Sequence, residues 1–328
     1  GQMLAASGQH VFTGGNIGAP LIGFVAAGQP AEVVVAEVSS FQLDTMERLH
    51  PQVAVLLNIA ADHLDRYDNM AAYSAAKARI FENQDARDLA IYNADDARVS
   101  SIVVTINSRP CPFRHGAPPS GASAPRTGAW IDGDRLHCRL ENTVLDFNTS
   151  RTPLIGAHNR ENLAAATMAA LSAGANATGI QATIDRFEGM AHRMELAGEV
   201  EGVRYINDSK ATNVAAVLRA LAAFDAPIVL LMGGLDKGDQ FERIAPVAAG
   251  KVKQLIAMGA AADTIAEALR DTLPATTAAD MSAALRLAGQ HARPGDVVLL
   301  SPGCASFDQY DNYAQRGDDF KRQVGRLK

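Results

Sequence analysis

Short apolar runs recur along the chain, with polar, helix-patterned stretches between them. AEVVVAEV (31–38), VAVLLNI (53–59) and DLAIYN (88–93) read as buried strands, and so do PIVLLMGG (227–234), VKQLIAMG (252–259) and GDVVLLSP (295–302). Continuous apolar runs of this length, bounded by turn residues, fit strands covered on both faces. Their alternation with helical stretches predicts an α/β chain of mainly parallel sheets flanked by helices. In such sheets, ligands bind beyond the carboxyl ends of the strands.

The pattern breaks at SRPCPFRHGAPPSGASAPRTG (108–128), which holds five of the 14 prolines and reads as an irregular surface loop. WIDGDRLHCRLENTVLDF (130–147) then reads as short antiparallel strands joined by Asp-Gly turn chemistry. A helix is predicted in NRENLAAATMAALSAGA. Near FEGMAHRMELAGEV (187–200) a helix ends and a new set of strands begins, so the domain junction is expected there.

Size and charge narrow the function. With 328 residues and 48% hydrophobic positions, the chain can build two domains, each with its own core. The net charge of −6 speaks against a nucleic-acid partner, which calls for a basic face. No apolar run approaches the roughly 18–20 residues that span a bilayer, so no membrane partner is expected. No signal-peptide pattern stands at Gly1. Cys111, Cys138 and Cys304 fit no metal spacing and cannot all pair with one another, which suits a reducing cytoplasm.

Polar clusters gather at the predicted strand ends. RYINDSKATN (204–213) follows a strand and precedes a helix. A helix start needs one cap, yet this turn carries Asp208, Ser209, Lys210, Thr212 and Asn213. LMGGLDKGDQF (231–241) and LLSPGCASFDQYDNYAQRG (299–317) also follow strands. Lys210 and Lys237, with helix-start amides, would make an anion pocket, and the crowded turn would be one wall of it. Farther upstream, Glu37 ends an apolar strand, where a carboxylate is costly unless it is solvated, paired or bound to a cation. Asp62, His63 and Asp65 follow the next strand. A lone His is more often structural or solvated, but beside Glu37 a hard divalent cation becomes plausible.

Two further positions have both a plain and a sharp account. Lys77 lies on an apolar stripe with Met70, Tyr73 and Ile80. Its stem could pack while its head snorkels to water, or it could be held at a site with its charge paired or removed. Asn159 and Asn162 lie three apart at the start of a predicted helix, near His158. One of these residues suffices as a cap, which leaves the others for a polar ligand.

These residues stand in the stretches GGNIGAPL, VAEVSSFQL, NIAADHLDRY, AAKARI, GAHNRENLAAA, AHRMELAGEV, YINDSKATN, GGLDKG and SPGCASFDQYDNYAQRG. In order and spacing, over nearly the whole chain, they resemble the Mur ligase family. SPGCASFDQY and GGNIG resemble its D-glutamate-adding branch, and the Asp-Asn-Pro-Arg motif of the diaminopimelate- or lysine-adding relatives does not occur. The resemblance implies residues 1–190 as a central ATP-binding-type domain and residues 191–328 as a Rossmann-like C-terminal amino-acid-binding domain. It implies an ATP-dependent, Mg²⁺-requiring amide ligase of peptidoglycan synthesis, cytoplasmic and monomeric. Such a ligase would add D-glutamate to UDP-N-acetylmuramoyl-L-alanine through an acyl phosphate.

By the same resemblance, Glu37 and His63 are Mg²⁺ ligands, and Lys77 is a carbamylated lysine that holds a second ion. Lys77, His63 and Lys210 form the catalytic set. Asn159, Asn162, Arg193 and Asp208 contact the nucleotide. Asn16 contacts the UDP-sugar. Lys210, Thr212, Lys237, Ser306, Phe307 and Tyr313 form the pocket for D-glutamate and the reacting phosphate. The sequence departs from the family in one respect. No G-x-x-x-x-G-K-[ST] occurs among the 328 residues. That loop cradles the ATP phosphates, so residues 1–8 are expected to be the later part of the helix that follows it, with the UDP-binding domain missing. An inactive chain is therefore expected. The alternatives are another amide ligase of this superfamily, such as a folylpolyglutamate synthase-type enzyme, or a non-catalytic module that binds D-glutamate or nucleotide.

Overall fold

A computed structural model describes residues 1–60, 66–121 and 125–327. The chain divides into two compact units. The first comprises Gly1–Pro153 and His158–Phe187, and the second Leu154–Ala157 and Glu188–Lys328. Among the described residues, no helix is long and apolar enough to cross a membrane.

The first unit holds strands β1 (Val11–Gly15), β2 (Val33–Glu37), β3 (Val53–Leu56), β4 (Leu89–Asn93), β5 (Arg109–His115), β6 (Thr127–Asp132), β7 (Arg135–Leu140) and β8 (Thr143–Asn148). Its helices are α1 (Gln2–Ala6), α2 (Leu21–Ala27), α3 (Ser40–Leu43), α4 (Met70–Ala78), α5 (Ala97–Val103), α6 (Ala157–Ser172) and α7 (Ala177–Arg186). Strands β3 to β8 form a six-stranded sheet in chain order, parallel through β6 and antiparallel at β7 and β8. Alternate residues point to opposite faces of a strand, and the two faces are covered by different helices. Leu89, Ile91, Cys111 and Phe113 pack with Met3 and Leu4 of α1, Met168 of α6 and Ile180 and Ile184 of α7. Ala54, Leu56 and Ala90 pack on the other face with Tyr73 of α4 and Val99 of α5.

Three sequence predictions need correction here. The stretch 31–38 is not a buried strand. β2 pairs with β1 alone, in a separate parallel two-stranded sheet, and its valines alternate in burial. Val33 and Val35 lean on the core, whereas Val34, on the opposite face of the strand, is 46% exposed. The proline-rich 108–128 stretch is not a plain loop, since β5 lies inside it with Cys111 and Phe113 fully buried. Its prolines sit where a strand can spare a donor. The Arg109 amide bonds to Asp88 on the β4 side, so Pro110 and Pro112 turn their nitrogens the other way, and β6 pairs with β5 only from Phe113 onward. Finally, the hairpin turn at 132–135 is not Asp-Gly. Asp132 and Arg135 pair across the strands, so the two-residue loop is Gly133–Asp134, with Gly133 at φ +56°.

The second unit holds β9 (Glu195–Val200), β10 (Val203–Asn207), β11 (Ile228–Gly233), β12 (Val252–Met258), β13 (Ala275–Ala278) and β14 (Val297–Leu300). Its helices are α8 (Val214–Ala222), α9 (Ala245–Ala248), α10 (Ala262–Leu269), α11 (Met281–His291) and α12 (Tyr313–Val324). The sheet order is β13-β12-β11-β14-β10-β9, parallel except for β9. Here the apolar runs are buried on both faces, as predicted. Every residue of β11 and β14 is buried. Leu230 and Leu299 face a core with α8 and α10, while Leu231 and Leu300 face one with α11 and α12. Each such side chain contributes roughly 1.5–3 kcal/mol relative to exposure. Because β10, β14 and β11 are adjacent and parallel, the loops that follow them emerge at one edge of the sheet.

Candidate functional site

The turn after β10 divides its polar residues among distinct tasks. Asn213 is the cap of α8, its side chain accepting from the Ala216 amide at 2.9 Å. Asp208 is 7% exposed and accepts from the Met194 amide at 3.2 Å and the Ser301 hydroxyl at 3.1 Å. Burial pushes its carboxyl up to about 7, against the lowering pull of those bonds and of Arg193 and Arg219. Ser209 is fully buried and donates through Oγ to the Tyr313 carbonyl at 2.8 Å. Lys210 donates its backbone amide to the His192 carbonyl and lays its ammonium over the Tyr313 ring. Thr212 is half-buried.

The loops after β11 and β14 are tied to each other. Leu235 and Ala305 exchange backbone hydrogen bonds of 2.8 and 3.0 Å. Gly234 makes this approach possible: its φ is +133°, and a Cβ there would lie 2.1 Å from the Ala305 carbonyl. Lys237 is exposed within a turn in which the Asp236 side chain accepts from the Gly238 and Asp239 amides. Ser306 is buried and Phe307 is 69% exposed. Tyr313 opens α12, capped by Asn312. Thus Asp208, Lys210, Thr212, Lys237, Ser306, Phe307 and Tyr313 all lie on the loops at one sheet edge or on the helix that continues from them. The helix-start amides offered to an anion are partly engaged, however. Asn213 takes one, and the Asp239 carboxylate, whose pKa burial raises, faces the amide of Val214.

Two residues in this region escaped the sequence reading. His192 is buried at φ +65° and accepts from the Asn207 amide nitrogen at 3.1 Å. With Met194 at φ +49°, it places Arg193 between two left-handed residues, a strained conformation of the kind that clusters at functional sites. Arg316 is 1% exposed and is among the largest fully buried side chains of the described residues. The signal for it was present: Arg316, Phe320 and Val324 fall at i, i+4 and i+8, and all three are buried on α12.

In the first unit, the Asn16 amide donates to the Glu37 carbonyl at 2.8 Å, and its side chain donates to the Glu37 carboxylate at 3.3 Å. Gly15, at φ +118°, permits this approach, because a Cβ would lie 2.3 Å from the Glu37 carbonyl. The Glu37 side chain is exposed at the end of β2, which leaves a carboxylate oxygen of the kind a hard cation takes. Lys77 is half-buried on α4, its ammonium 5.1 Å from the Tyr73 ring centroid. Asp62, His63 and Asp65 lie outside the described residues. Asn159 and Asn162 open α6, with the Asn162 side chain donating to that of Asn159 at 3.4 Å. Among the described residues, the one cluster with metal-ligand spacing is His50, Asp85 and Asp88. It is a satisfied ion-pair loop: Arg87 grips Asp85 at 2.7 Å and holds its carboxyl down at about 2, and His50 pairs with Asp88 at 2.6 Å.

Residues 1–170 match the Mur ligase middle domain, and residues 192–304 match the Mur ligase, glutamate ligase domain. The UDP-N-acetylmuramoylalanine--D-glutamate ligase of Desulfosudis oleivorans is 46% identical over all of this chain, which spans 70% of that protein. The ligase of the same name from Desulfatibacillum aliphaticivorans is 45% identical, again over the whole chain, which spans 72% of it. Among solved structures, a pseudomurein peptide ligase type C from Methanothermus fervidus superposes with a TM-score of 0.71 at 17% identity, covering 100% of this chain and 76% of that one. The MurF ligase from Thermotoga maritima, solved in complex with ADP, superposes at 0.68 with 14% identity, covering 100% and 77%. At such identities the structural likeness is one of fold.

Proposed function

This chain belongs to the Mur ligase family, and from that premise we propose that it forms the central and C-terminal domains of an ATP-dependent amide ligase, residues 1–190 and 191–328. The ligase joins D-glutamate to UDP-N-acetylmuramoyl-L-alanine in cytoplasmic peptidoglycan synthesis. One observation carries the choice of amino acid. Three adjacent parallel strands send their loops to one edge, and those loops bear Lys210, Lys237 and the buried Ser306. Two cations and a hydroxyl suit a small molecule with two carboxylates. Relatives named for D-glutamate, 40–46% identical across the chain, support the same reading.

The proposed reaction runs in two steps. A carboxylate oxygen of the acceptor attacks the γ-phosphorus of ATP, and ADP leaves. The D-glutamate amine then attacks the carbonyl carbon of the acyl phosphate, loses a proton, and phosphate departs as the amide forms. Lys210 stabilises negative charge on the transferred phosphoryl group. Lys237, Ser306, Thr212, Phe307 and Tyr313 orient D-glutamate. In the second unit, Arg193 and Asp208 serve the nucleotide; in the first, Asn159 and Asn162 do so, and Asn16 serves the UDP-sugar. Glu37, His63 and a carbamate on Lys77 would hold Mg²⁺, which when bound neutralises charge that builds on phosphoryl oxygens. The exposed Glu37 carboxylate fits such an ion.

The 328 residues contain no Gly-rich phosphate loop ending in Gly-Lys-Ser/Thr, so the chain by itself is proposed to bind D-glutamate without turning over ATP. Titration calorimetry with D-glutamate, L-glutamate and D-alanine tests the substrate. Selective binding of D-glutamate is the expected result. Equal or absent binding of all three would refute the assignment.

A further inference from the structure

Arg316 lies at the centre of the three strand-end loops and makes five hydrogen bonds to uncharged acceptors. Nε donates to Ser209 Oγ at 3.0 Å, and Nη2 donates to the carbonyls of Ser209 at 3.0 Å and Cys304 at 3.1 Å. Nη1 donates to the carbonyls of Gly233 at 3.2 Å and Ala305 at 3.4 Å. The acceptors belong to the loops after β10 and β14 and to the last residue of β11, where the third loop begins, so one guanidinium joins all three strand ends. The fit is close, since a Cβ on Gly234 would come within 3.0 Å of Nη1.

Burying a cation without a carboxylate partner costs several kcal/mol, and an apolar side chain of equal volume would avoid that cost. Desolvation lowers the guanidinium to about 10, so it remains charged at neutral pH. A planar fork of five donors can make all five of these bonds at once; an ammonium has three donors and no fixed plane, so it would leave at least two of the acceptors without a partner from this side chain. Each tethered loop carries a residue of the proposed glutamate site: Lys210 after Ser209, Lys237 after Gly233, and Ser306 after Ala305. Arg316 itself faces the interior, on α12 one turn from Tyr313.

We infer that Arg316 is a positioning residue that fixes the three loops in register, so that Lys210, Lys237 and Ser306 meet one ligand together. The ligand part of this inference rests on the proposed D-glutamate site; the loop-fixing part does not.

The test uses the ligand-free 328-residue chain with Arg316→Lys, Arg316→Met and, as a stability control that is not on the loops, Leu285→Ala on the buried face of α11. Hydrogen exchange is followed at Gly233, Leu235, Gly303 and Ala305, whose amides hold the loops together, and at Leu230 and Leu299 in the strands. Arg316→Lys is expected to speed exchange at the four loop amides together by about ten-fold or more while the strands keep their protection. Leu285→Ala is expected to loosen strands and loops alike. Unchanged loop exchange in Arg316→Lys, or loops and strands loosening in parallel, would overturn the inference. Should Arg316→Met fail to fold, Arg316→Lys, which keeps the charge, still decides. In calorimetry, Arg316→Lys should weaken D-glutamate binding by about ten-fold or more, equivalent to about 1.4 kcal/mol, and Leu285→Ala should not. Loosened loops with unaltered affinity would refute the positioning role. Absence of D-glutamate binding by the unsubstituted chain would refute the substrate reading and leave the exchange result to judge Arg316.

Discussion

The ammonium of Lys210 lies 3.9 Å from the centroid of the Tyr313 ring. Lys210 stands in the turn after β10 and Tyr313 at the first position of α12, so the contact fixes a loop cation against a helix start. A cation over an aromatic face gains about 0.5–1 kcal/mol when exposed and about 2 kcal/mol when desolvated. Tyr313→Leu should therefore weaken D-glutamate binding by about three- to ten-fold, and Tyr313→Phe, which keeps the face, should not. Equal losses in both variants would show that the phenol hydroxyl, and not the ring face, matters.

Asp208 gives the second unit a pH signature. Its carboxyl is raised from an ordinary 3.8 to about 7 by burial. The folded state therefore binds a proton that the unfolded state has released, and the resulting stabilisation, full below pH 4, disappears as pH rises through 7. Between pH 5 and pH 8 this amounts to about 2–3 kcal/mol. Asp208→Asn keeps an acceptor oxygen for the Met194 amide and turns its NH2 to the Ser301 hydroxyl, which can accept, but it cannot titrate. Urea unfolding at the two pH values should show a smaller fall in stability for the variant than for the parent. Identical falls would mean that Asp208 does not carry the dependence.

Lys237 and Ser306 should separate the substrates. Both sit on loops of the proposed D-glutamate site. In an enzyme that also carries the phosphate-binding loop, Lys237→Ala and Ser306→Ala should raise the KM for D-glutamate by about 10- to 100-fold, the worth of a hydrogen bond to a charged group. The KM for ATP should move little. A rise confined to ATP would reverse the assignment.

The parts of this site that could be read from sequence are those set by local pattern. The apolar runs of β11 and β14 are continuous because both faces are covered, and parallel alternation put the polar loops at their carboxyl ends. Asn213 could be recognised as one of several cap candidates, but sequence could not choose among them. The choice is made at long range, where Ser209 reaches the Tyr313 carbonyl and Asp208 reaches Ser301. β5 was hidden because its prolines signal a loop, and only the pairing to β4 and β6 shows that their missing amides face an open side. The exposure of Val34 was equally illegible, since the run VVVAE cannot say which neighbours will cover it. Arg316 lay on the apolar stripe of α12, where a cation would ordinarily be assigned to a solvated face.

Lys77 offers the sharpest test of the proposed chemistry. It lies half-buried on α4 with its ammonium toward the Tyr73 ring. If it only snorkels, alanine shortens the stem, keeps helix propensity high and leaves catalysis nearly unchanged. If it carries a carbamate, alanine removes an anion that would hold Mg²⁺, and the loss falls on the chemical step and not on substrate binding. In an enzyme with its phosphate loop, Lys77→Ala is expected to abolish nearly all turnover while the melting curve shows a folded protein. Short carboxylic acids, which can return an oxygen anion to the vacated space, should restore part of the rate, and alcohols of similar size should not. Near-normal turnover in a folded Lys77→Ala protein would establish the snorkelling account.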